Sequence, residues 1–226
     1  MKKNLIVSKN LLVSFAVIFA LYLSGCVNVD QKTKINQDGS GSLELEYWTK
    51  ISNLSGGDEL GGFYFAEGKA KENYTSTNSE VKTIEVKENL DDSTKHVIMT
   101  VEFKDINKLN SAKGFEKIKT SWAESEDGMK FSYIVPADTS NAKNMGASDI
   151  TLNYSFEFPN EVVTTNGRQD GNKIVFEKTL ADLDKDLEMT ATVKTEKKGC
   201  GLFGIELPII VLAGLVFAGS RQYRRK

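Results

Sequence analysis

Apolar and polar residues alternate along most of the chain, and a spacing of two is typical of half-buried β-strands. The longest unbroken alternation contains Ile150, Leu152, Tyr154, Phe156 and Phe158. One face of each such strand is expected to be buried and the other exposed to water, which favours antiparallel pairing. Shorter alternations of the same kind occupy residues 43–47, 97–103, 129–135 and 187–193.

Turn-forming residues separate the alternating segments. Asn36 to Gly41 predicts a hairpin between residues 27–35 and 42–48, and Asp127-Gly128 joins 117–125 to 129–135. A third turn, Asn166 to Asn172, joins an extended segment 150–164 to 173–177.

Two segments have helical spacing. The first runs from Asp58 to Glu72 and is weakened by Gly61 and Gly62. The second runs from Asp105 to Lys113, where the Asp105 side chain is placed to cap the amide of residue 107 or 108. The sequence therefore predicts an α+β fold, a mainly antiparallel β-sheet of about eight or nine strands with two short helices.

The N-terminal segment has the pattern of a secretory signal. Basic residues precede an apolar run from Leu11 to Leu23, which as a helix measures about 20 Å and is shorter than the hydrocarbon core of a bilayer. The run ends in Leu23-Ser24-Gly25-Cys26, which resembles a bacterial lipobox, where the chain is cut just before a cysteine that carries acyl chains such as palmitate. We expect a signal peptide over 1–25, a signal peptidase motif of Leu23, Ser24 and Gly25, and lipid attachment at Cys26. The alternative is an ordinary signal peptide that contains a cysteine.

The C-terminal segment predicts a second membrane element. An apolar run from Leu207 to Ala218 is followed by a basic tail, which should stay cytoplasmic and leave the main domain outside the membrane. Gly199-Cys200-Gly201 before this run resembles the tripartite sorting signals of bacterial surface proteins, in which Cys200 would be a processing or second attachment point. A plain transmembrane helix is the other interpretation. The predicted organisation is a domain over 26–199, a transmembrane or sorting helix over 200–220 and a basic tail over 221–226.

Composition excludes several classes of function. Residues 27–199 contain 22 Lys and Arg against 30 Asp and Glu, a net charge of −8, which argues against nucleic acid partners and against charge-driven binding to anionic headgroups. One histidine and two cysteines among 226 residues exclude a four-ligand zinc framework and a disulfide scaffold. We therefore expect no catalytic residue, no metal and no cofactor. His96, which has no nearby Cys or paired carboxylate, is expected to be structural or solvent-facing.

Two acidic segments are interpreted as connections. Asn36, Asp38 and Ser40 alternate as in a calcium loop, but strands rather than helices flank them, which favours a hairpin turn. Asp182, Asp184 and Asp186 favour a solvated connection between strands over a cation site.

Three successive aromatic residues, Phe63, Tyr64 and Phe65, follow the two glycines of the first predicted helix. They cannot all face one core from a regular helix. They form either a mobile apolar lip for a ligand or a membrane, or a loop that is buried in the core.

A resemblance spans nearly the whole chain. The order of Cys26, the hairpin at Asp38-Gly39-Ser40-Gly41, the stretch from Phe158-Pro159 to Asn166-Gly167, and a C-terminal helix is similar to that of LppM-type envelope lipoproteins. The resemblance implies an antiparallel α+β fold on the outer side of a bacterial membrane, and lipid or glycolipid binding is proposed for some members. The Gly-Cys-Gly terminus departs from the family pattern.

Two hypotheses for function follow. The first is a non-enzymatic, membrane-anchored lipoprotein of the bacterial cell envelope, with an extracytoplasmic domain that binds lipid, glycolipid or another envelope component. The second is a surface-displayed structural or adhesive module, delivered by the C-terminal sorting signal, that binds a protein partner.

Overall fold

The computed structural model of the chain describes residues 27–137 and 149–195. Within these ranges it has thirteen strands, one α-helix and four short 3-10 helices. The strands are β1 (Asn28–Ile35), β2 (Gly41–Lys50), β3 (Glu59–Leu60), β4 (Phe63–Tyr64), β5 (Ser79–Asn89), β6 (Thr94–Phe103), β7 (Lys119–Ser125), β8 (Gly128–Val135), β9 (Thr151–Glu157), β10 (Val162–Thr165), β11 (Arg168–Asp170), β12 (Lys173–Thr179) and β13 (Leu187–Val193). The α-helix, α1, is Glu67–Tyr74, and the 3-10 helices are Ile51–Leu54, Ile106–Ser111, Lys113–Phe115 and Leu180–Asp184.

The strands of the described residues form three sheets. A seven-stranded sheet has the order β11-β12-β9-β1-β2-β6-β5, and a four-stranded sheet has the order β10-β13-β8-β7. The third sheet is the β3–β4 hairpin. All pairings are antiparallel except β1 with β9, where Val29 lies opposite Leu152 in parallel register. The predicted α+β class with mostly antiparallel sheets is confirmed.

The inner face of the seven-stranded sheet carries four rows of side chains that cross its central strands. From the start of β1 to its end, the rows are Leu152, Val29, Tyr47 and Val97; then Tyr154, Gln31, Leu45 and Met99; then Phe156, Thr33, Leu43 and Val101; and then Ile35, Gly41 and Phe103. We call the end of the sheet where β1 begins the entry end, and the end with the β1–β2 turn the turn end.

Two different layers cover this inner face. The four-stranded sheet packs over β9 and β1, where the Phe131 and Phe156 rings lie 4.8 Å apart between centroids. Over β2, β6 and β5 the cover is α1, the β3–β4 hairpin and 3-10 helices, which bury Phe65, Leu109 and Phe115. A single hydrophobic core therefore lies between the large sheet and its two covers.

The first predicted helix, Asp58 to Glu72, is wrong over its first half. Residues 59–64 form the β3–β4 hairpin, and α1 begins only at Glu67. The turn of this hairpin consists of Gly61 and Gly62, whose φ angles of 61° and 89° are incompatible with a right-handed helix. The two glycines thus prevent a helix over residues 58–64, and the helix forms only after them.

The second predicted helix is present as two 3-10 helices, Ile106–Ser111 and Lys113–Phe115. Asp105 caps the first of them as expected, since its Oδ1 accepts a hydrogen bond of 3.0 Å from the Asn107 amide. The long predicted strand 150–164 is divided, because β9 ends at Glu157 and β10 belongs to the other sheet. Pro159, which has no amide hydrogen for a ladder, lies between the two strands.

The predicted hairpin turns at 36–41 and 127–128 are confirmed. At the first, the Asn36 amide donates to the Ser40 carbonyl over 2.7 Å. At the second, Gly128 has a φ of 134°, and a Cβ there would lie 2.3 Å from the Val193 carbonyl oxygen. Glycine is therefore required at Gly128 for both backbone conformation and packing.

The two ends of the described chain lie at opposite ends of the large sheet. Val27, immediately before β1, is buried at the entry end with 4% exposure. Lys194, after β13, bonds through its amide to the Glu161 carbonyl, close to Phe158 at the turn end. Among the described residues no helix is both long and apolar enough to cross a membrane. The predicted signal peptide and the predicted C-terminal helix lie outside the described residues.

Candidate functional site

Four tyrosines from four different elements are buried in the core and point toward its centre. Tyr47 comes from β2, Tyr74 from α1, Tyr133 from β8 and Tyr154 from β9, with exposures of 0, 2, 1 and 7%. The ring centroids of Tyr133 and Tyr154 are 5.9 Å apart, and those of Tyr47 and Tyr74 are 6.3 Å apart. We call these four residues the tyrosine cluster. The two covering layers meet there.

Two buried polar residues of β1 accompany the tyrosine cluster. The Tyr133 hydroxyl donates to Gln31 Oε1 over 3.1 Å, and Gln31 Nε2 donates to Thr33 Oγ1 over 2.9 Å. Both Gln31 and Thr33 are only 2% exposed. Gln31 and Thr33 occupy the two inward positions of β1 between Val29 and Ile35. The middle of the core therefore contains hydrogen-bonding side chains where the strand pattern would place apolar ones.

The hydroxyls of Tyr74 and Tyr154 have no hydrogen-bond partner among the described residues. Among all described residues, every side-chain nitrogen or oxygen atom that is completely inaccessible to solvent has a hydrogen-bond partner. The small residual exposure of Tyr74 and Tyr154 therefore includes their hydroxyl oxygens, which reach space that a water molecule can enter. Buried polar groups normally have a partner, so these two hydroxyls are free to bond a ligand or water.

The tyrosine cluster is electrically neutral. Burial raises the pKa of Tyr47, Tyr133 and Tyr154 far above the ordinary phenol value. The pKa of Tyr74 is raised for the same reason, with a further contribution from the neighbouring tyrosines. Neutral phenols donate hydrogen bonds to oxygen acceptors. The cluster thus offers uncharged donors in an aromatic environment.

The β3–β4 hairpin lies against the tyrosine cluster. Tyr47 contacts the Phe63 and Phe65 rings at centroid distances of 5.0 and 5.3 Å, and its hydroxyl donates to the Tyr64 carbonyl over 2.5 Å. A second, weaker contact joins the hairpin to α1, where Asn73 Nδ2 donates to the Gly62 carbonyl over 3.4 Å.

The three aromatic residues predicted as a lip or a buried loop are divided by the structure. Phe65 is completely buried, whereas Phe63 and Tyr64 are partly exposed and pack against the core from its edge. A crevice of about 70 Å³ runs beside Tyr64, between it, Asn73 and Lys113. The hairpin therefore covers the tyrosine cluster with two residues that are accessible from outside.

The two ends of the core differ in polarity. Tyr47, Tyr154 and Gln31 belong to the two rows nearest the entry end, and Tyr74 and Tyr133 pack against the first two of these residues. At the turn end the core is closed by aromatic rings: Trp122 is stacked on Phe158 at 5.8 Å, and Phe131 contacts Phe158 at 5.1 Å. The hydroxyl of Tyr47 and the polar groups of Tyr154 and Gln31 therefore lie toward the entry end of the core.

The chain's one histidine has a carboxylate partner that sequence analysis missed. His96 Nδ1 lies 2.8 Å from Glu46 Oε1, and its Nε2 lies 2.7 Å from Thr94 Oγ1. The Trp48 ring lies parallel to the imidazole at 5.6 Å. These side chains belong to β2 and β6, and the cross-strand pairing of Trp48 with His96 brings them together on the outer face of the large sheet.

The arrangement around His96 resembles an acid–histidine–hydroxyl triad, but its hydroxyl has another partner. Thr94 Oγ1 donates to Asp92 Oδ1 over 2.5 Å, and Thr94 itself is only 8% exposed. A hydroxyl has one proton to donate, so Thr94 accepts from His96 when it donates to Asp92. The group forms a hydrogen-bond chain that joins the β5–β6 turn to β2.

The acidic segments singled out in the sequence have local roles. Asp38 Oδ1 accepts from the amide and the hydroxyl of Ser40, and these hydrogen bonds lower the pKa of Asp38. Asp182 caps the 3-10 helix Leu180–Asp184 through the Thr179 amide and hydroxyl. The described residues contain no group of three His, Cys, Asp or Glu side chains placed to hold a metal ion.

The predicted lipid attachment residue Cys26, the motif residues Leu23, Ser24 and Gly25, and Cys200 lie outside the described residues. Only the position of Val27, next to Cys26 in the chain, is described.

No family model matches the chain, and no curated protein matches its sequence. Among solved structures, the chain is similar to the folded domain of the Mycobacterium tuberculosis protein LppM, determined by NMR. The TM-score is 0.43 at 15% sequence identity, and the match covers 77% of this chain and 93% of that domain. The LppM domain is thus a structural neighbour of the chain, while the lipobox and the sorting signal stay predictions.

Proposed function

We propose that the chain is a non-enzymatic, membrane-anchored lipoprotein of a bacterial envelope, and that its β-rich domain binds an amphiphile, a lipid or glycolipid, at the tyrosine cluster. The observation that carries the proposal is that Tyr74 and Tyr154, whose side chains are largely buried in the core, have hydroxyls with no hydrogen-bond partner among the described residues. Ligand sites are mostly apolar with a small number of convergent polar groups, and the tyrosine cluster has that composition.

The chemistry of the site selects for an uncharged polar group joined to an apolar one. The four phenols are neutral, so they suit ester, hydroxyl or glycosidic oxygens. The four phenols supply no cation to pair with a buried phosphate or carboxylate, and an unpaired charge is costly in a core. Leu45, Met99 and Val97, on the same rows of the sheet, offer apolar contacts for an acyl chain.

Entry of a ligand requires the β3–β4 hairpin to move. The hairpin has only two residues in each strand, and Gly57, Gly61 and Gly62 flank its strands with positive φ angles. A Cβ at Gly57 or Gly62 would meet nothing within 4 Å. Because glycine has no Cβ, the backbone at these three positions has fewer steric limits on rotation than any other residue would give it.

A second function, binding of a protein partner by a surface-displayed module, is favoured by the outer face of the four-stranded sheet. Residues Ser132, Thr190 and Thr192 lie there around a shallow depression of about 440 Å³. Their hydroxyls make no hydrogen bond to another described residue, so they are available to a partner.

Removal of the two free hydroxyls tests the proposed function. Full-length protein, purified in detergent, is extracted with organic solvent and its bound lipids are quantified by mass spectrometry. We expect an amphiphile that is retained by wild type and lost from the Tyr74→Phe/Tyr154→Phe double variant. Tyr64→Phe is the matched control, because its backbone carbonyl rather than its hydroxyl contacts the cluster. Equal lipid content in all three proteins would contradict lipid binding at this site and would favour the second function.

A further inference from the structure

The geometry points to the entry end of the large sheet as the surface of the domain that contacts the lipid bilayer. This inference rests on the proposed lipid anchor at Cys26, but it concerns a surface rather than the interior site. The surface consists of the β5–β6 turn, the 3-10 helix Ile51–Leu54 and the β3–β4 hairpin, which lie near the start of β1.

The first argument is the length of chain between the anchor and the domain. Val27 is already buried, and β1 begins at Asn28. Consecutive Cα atoms are 3.8 Å apart, so an acylated Cys26 leaves no linker on which the domain could turn. The opposite end of β1 lies about 25 Å away, since eight residues at about 3.4 Å each separate the two ends.

The second argument is the exposed apolar side chain at this end. Among the described residues the exposed large hydrophobic residues are Leu90, at 80%, and Val163, at 49%. Leu90 lies in the β5–β6 turn, and this turn is fixed at the entry end because the Ile51 amide donates to the Ser93 carbonyl over 2.9 Å. Leu90 is thus more exposed than Val163. It lies at the entry end, which is the end of the sheet next to the proposed anchor at Cys26.

The third argument is the position of the β3–β4 hairpin. Its Phe63 and Tyr64 are partly exposed and pack next to Tyr47, which is in the row nearest the entry end. Lys95 Nζ bonds Asp58 Oδ1 over 2.9 Å and holds the base of the hairpin against β6. Contact of this end with the bilayer would place the cover of the tyrosine cluster where a lipid could pass directly from membrane to core.

Charge does not provide this orientation. Asp91 and Asp92 lie in the same turn as Leu90, and the domain is acidic as a whole. Attraction to anionic headgroups is therefore not expected at this surface. The orientation comes from the covalent anchor and from apolar contact, so it should persist in a bilayer of zwitterionic lipid.

Environment-sensitive labels at the two ends test the orientation. Full-length lipidated protein with Cys200→Ser is labelled with the fluorophore NBD at Leu90→Cys or, as the matched apolar control at the turn end, at Val163→Cys. Asp91→Cys and Gln37→Cys form a second, polar pair. Each protein is reconstituted in phosphatidylcholine vesicles with and without nitroxide-labelled lipid. All four positions are exposed, so the labels leave the fold intact.

We expect a blue shift and nitroxide quenching for the labels at positions 90 and 91, and neither for those at 163 and 37. Quenching at the turn end, equal quenching at both ends or no quenching at any site would overturn the inference. Lipid extraction gives an independent answer on the proposed function: a protein without a bound amphiphile that still shows the expected label pattern would refute the interior site alone.

Discussion

The Tyr47 hydroxyl donates a hydrogen bond of 2.5 Å to the backbone carbonyl of Tyr64. This bond joins the central strand β2 to the β3–β4 hairpin, and the Phe63 and Phe65 rings contact the same tyrosine. Tyr47 is therefore the residue of the tyrosine cluster that holds its cover in place.

Tyr47→Phe should loosen the hairpin without emptying the core. The ring contacts are kept, while the Tyr64 carbonyl loses its donor, which costs about 0.5–1.5 kcal/mol. We expect this loss in the free energy of unfolding and faster amide hydrogen exchange in residues 59–65. Tyr64→Phe is the control, because it keeps the acceptor carbonyl. Unchanged exchange in the hairpin of Tyr47→Phe would show that the bond does not hold it.

Gly114→Ala should destabilise the domain. A Cβ at this position would lie 2.3 Å from Cε1 of Tyr74 and 2.6 Å from Cδ1, so the ring must shift within a packed core. Overpacking of this kind costs about 1–3 kcal/mol. The measurement is the midpoint of denaturant unfolding.

Gly68→Ala is the matched control for Gly114→Ala. Gly68 lies in α1 and a Cβ there meets nothing within 4 Å. Alanine in place of a helical glycine is expected to stabilise by about 0.5–1 kcal/mol. Two variants with the same midpoint would contradict the close packing of Gly114 on Tyr74.

The sequence predicts the strands of this fold better than the contacts between them. Alternation at 150–158 correctly predicted β9, because a half-buried strand displays its period locally. Parallel pairing of β9 with β1 joins residues more than a hundred positions apart, so no local pattern indicates it. The partners Glu46 and His96 were missed for the same reason, since only the pairing of β2 with β6 brings them together.

The tyrosine cluster was only partly visible in the sequence. Tyr47, Tyr133 and Tyr154 all occupy inward positions of correctly predicted strands, so their burial follows from alternation. Tyr74 was not foreseen, because the predicted helix ended at Glu72, two residues before it. Gln31 carried a signal that was overlooked: it is a polar residue at an inward position between Val29 and Ile35.

Thr94→Val should weaken the attachment of the β5–β6 turn. The substitution keeps the shape of the side chain and removes the hydroxyl that contacts His96 and Asp92. His96 Nε2 then loses its partner in a side chain that is 15% exposed. We expect a loss of about 1–3 kcal/mol in the free energy of unfolding.

Thr100→Val is the control for Thr94→Val, since Thr100 lies on the same strand and the same outer face. Its hydroxyl has no hydrogen bond to another described residue, so the stability should change little. An equal loss in both variants would mean that the hydrogen-bond chain around His96 contributes nothing.

The hydrogen bonds that Asp182 accepts from Thr179 should make part of the free energy of unfolding depend on pH. The pKa of Asp182 is lowered, chiefly because the Thr179 amide donates to its carboxylate over 2.8 Å. A lowered pKa in the folded state means that the contribution is complete above the ordinary value of 3.8 and is lost as the pH falls through the lower value.

Asp182→Asn should therefore lower the melting temperature at neutral pH. In strong acid the melting temperatures of the variant and wild type should lie closer together. Melting temperatures of both proteins between neutral pH and about pH 2 provide the test. A difference that stays constant over this range would show that the ionised carboxylate is not what the cap requires.

Native mass spectrometry of the full-length protein, released from nanodiscs, tests the central claim most directly. The interior site predicts one non-covalent amphiphile on the wild-type chain, in addition to any acyl groups that are covalently attached to Cys26. The same amphiphile should be absent from Tyr74→Phe/Tyr154→Phe and present on Tyr64→Phe. A wild-type chain that carries no such adduct, or a double variant that carries as much as wild type, would contradict the account.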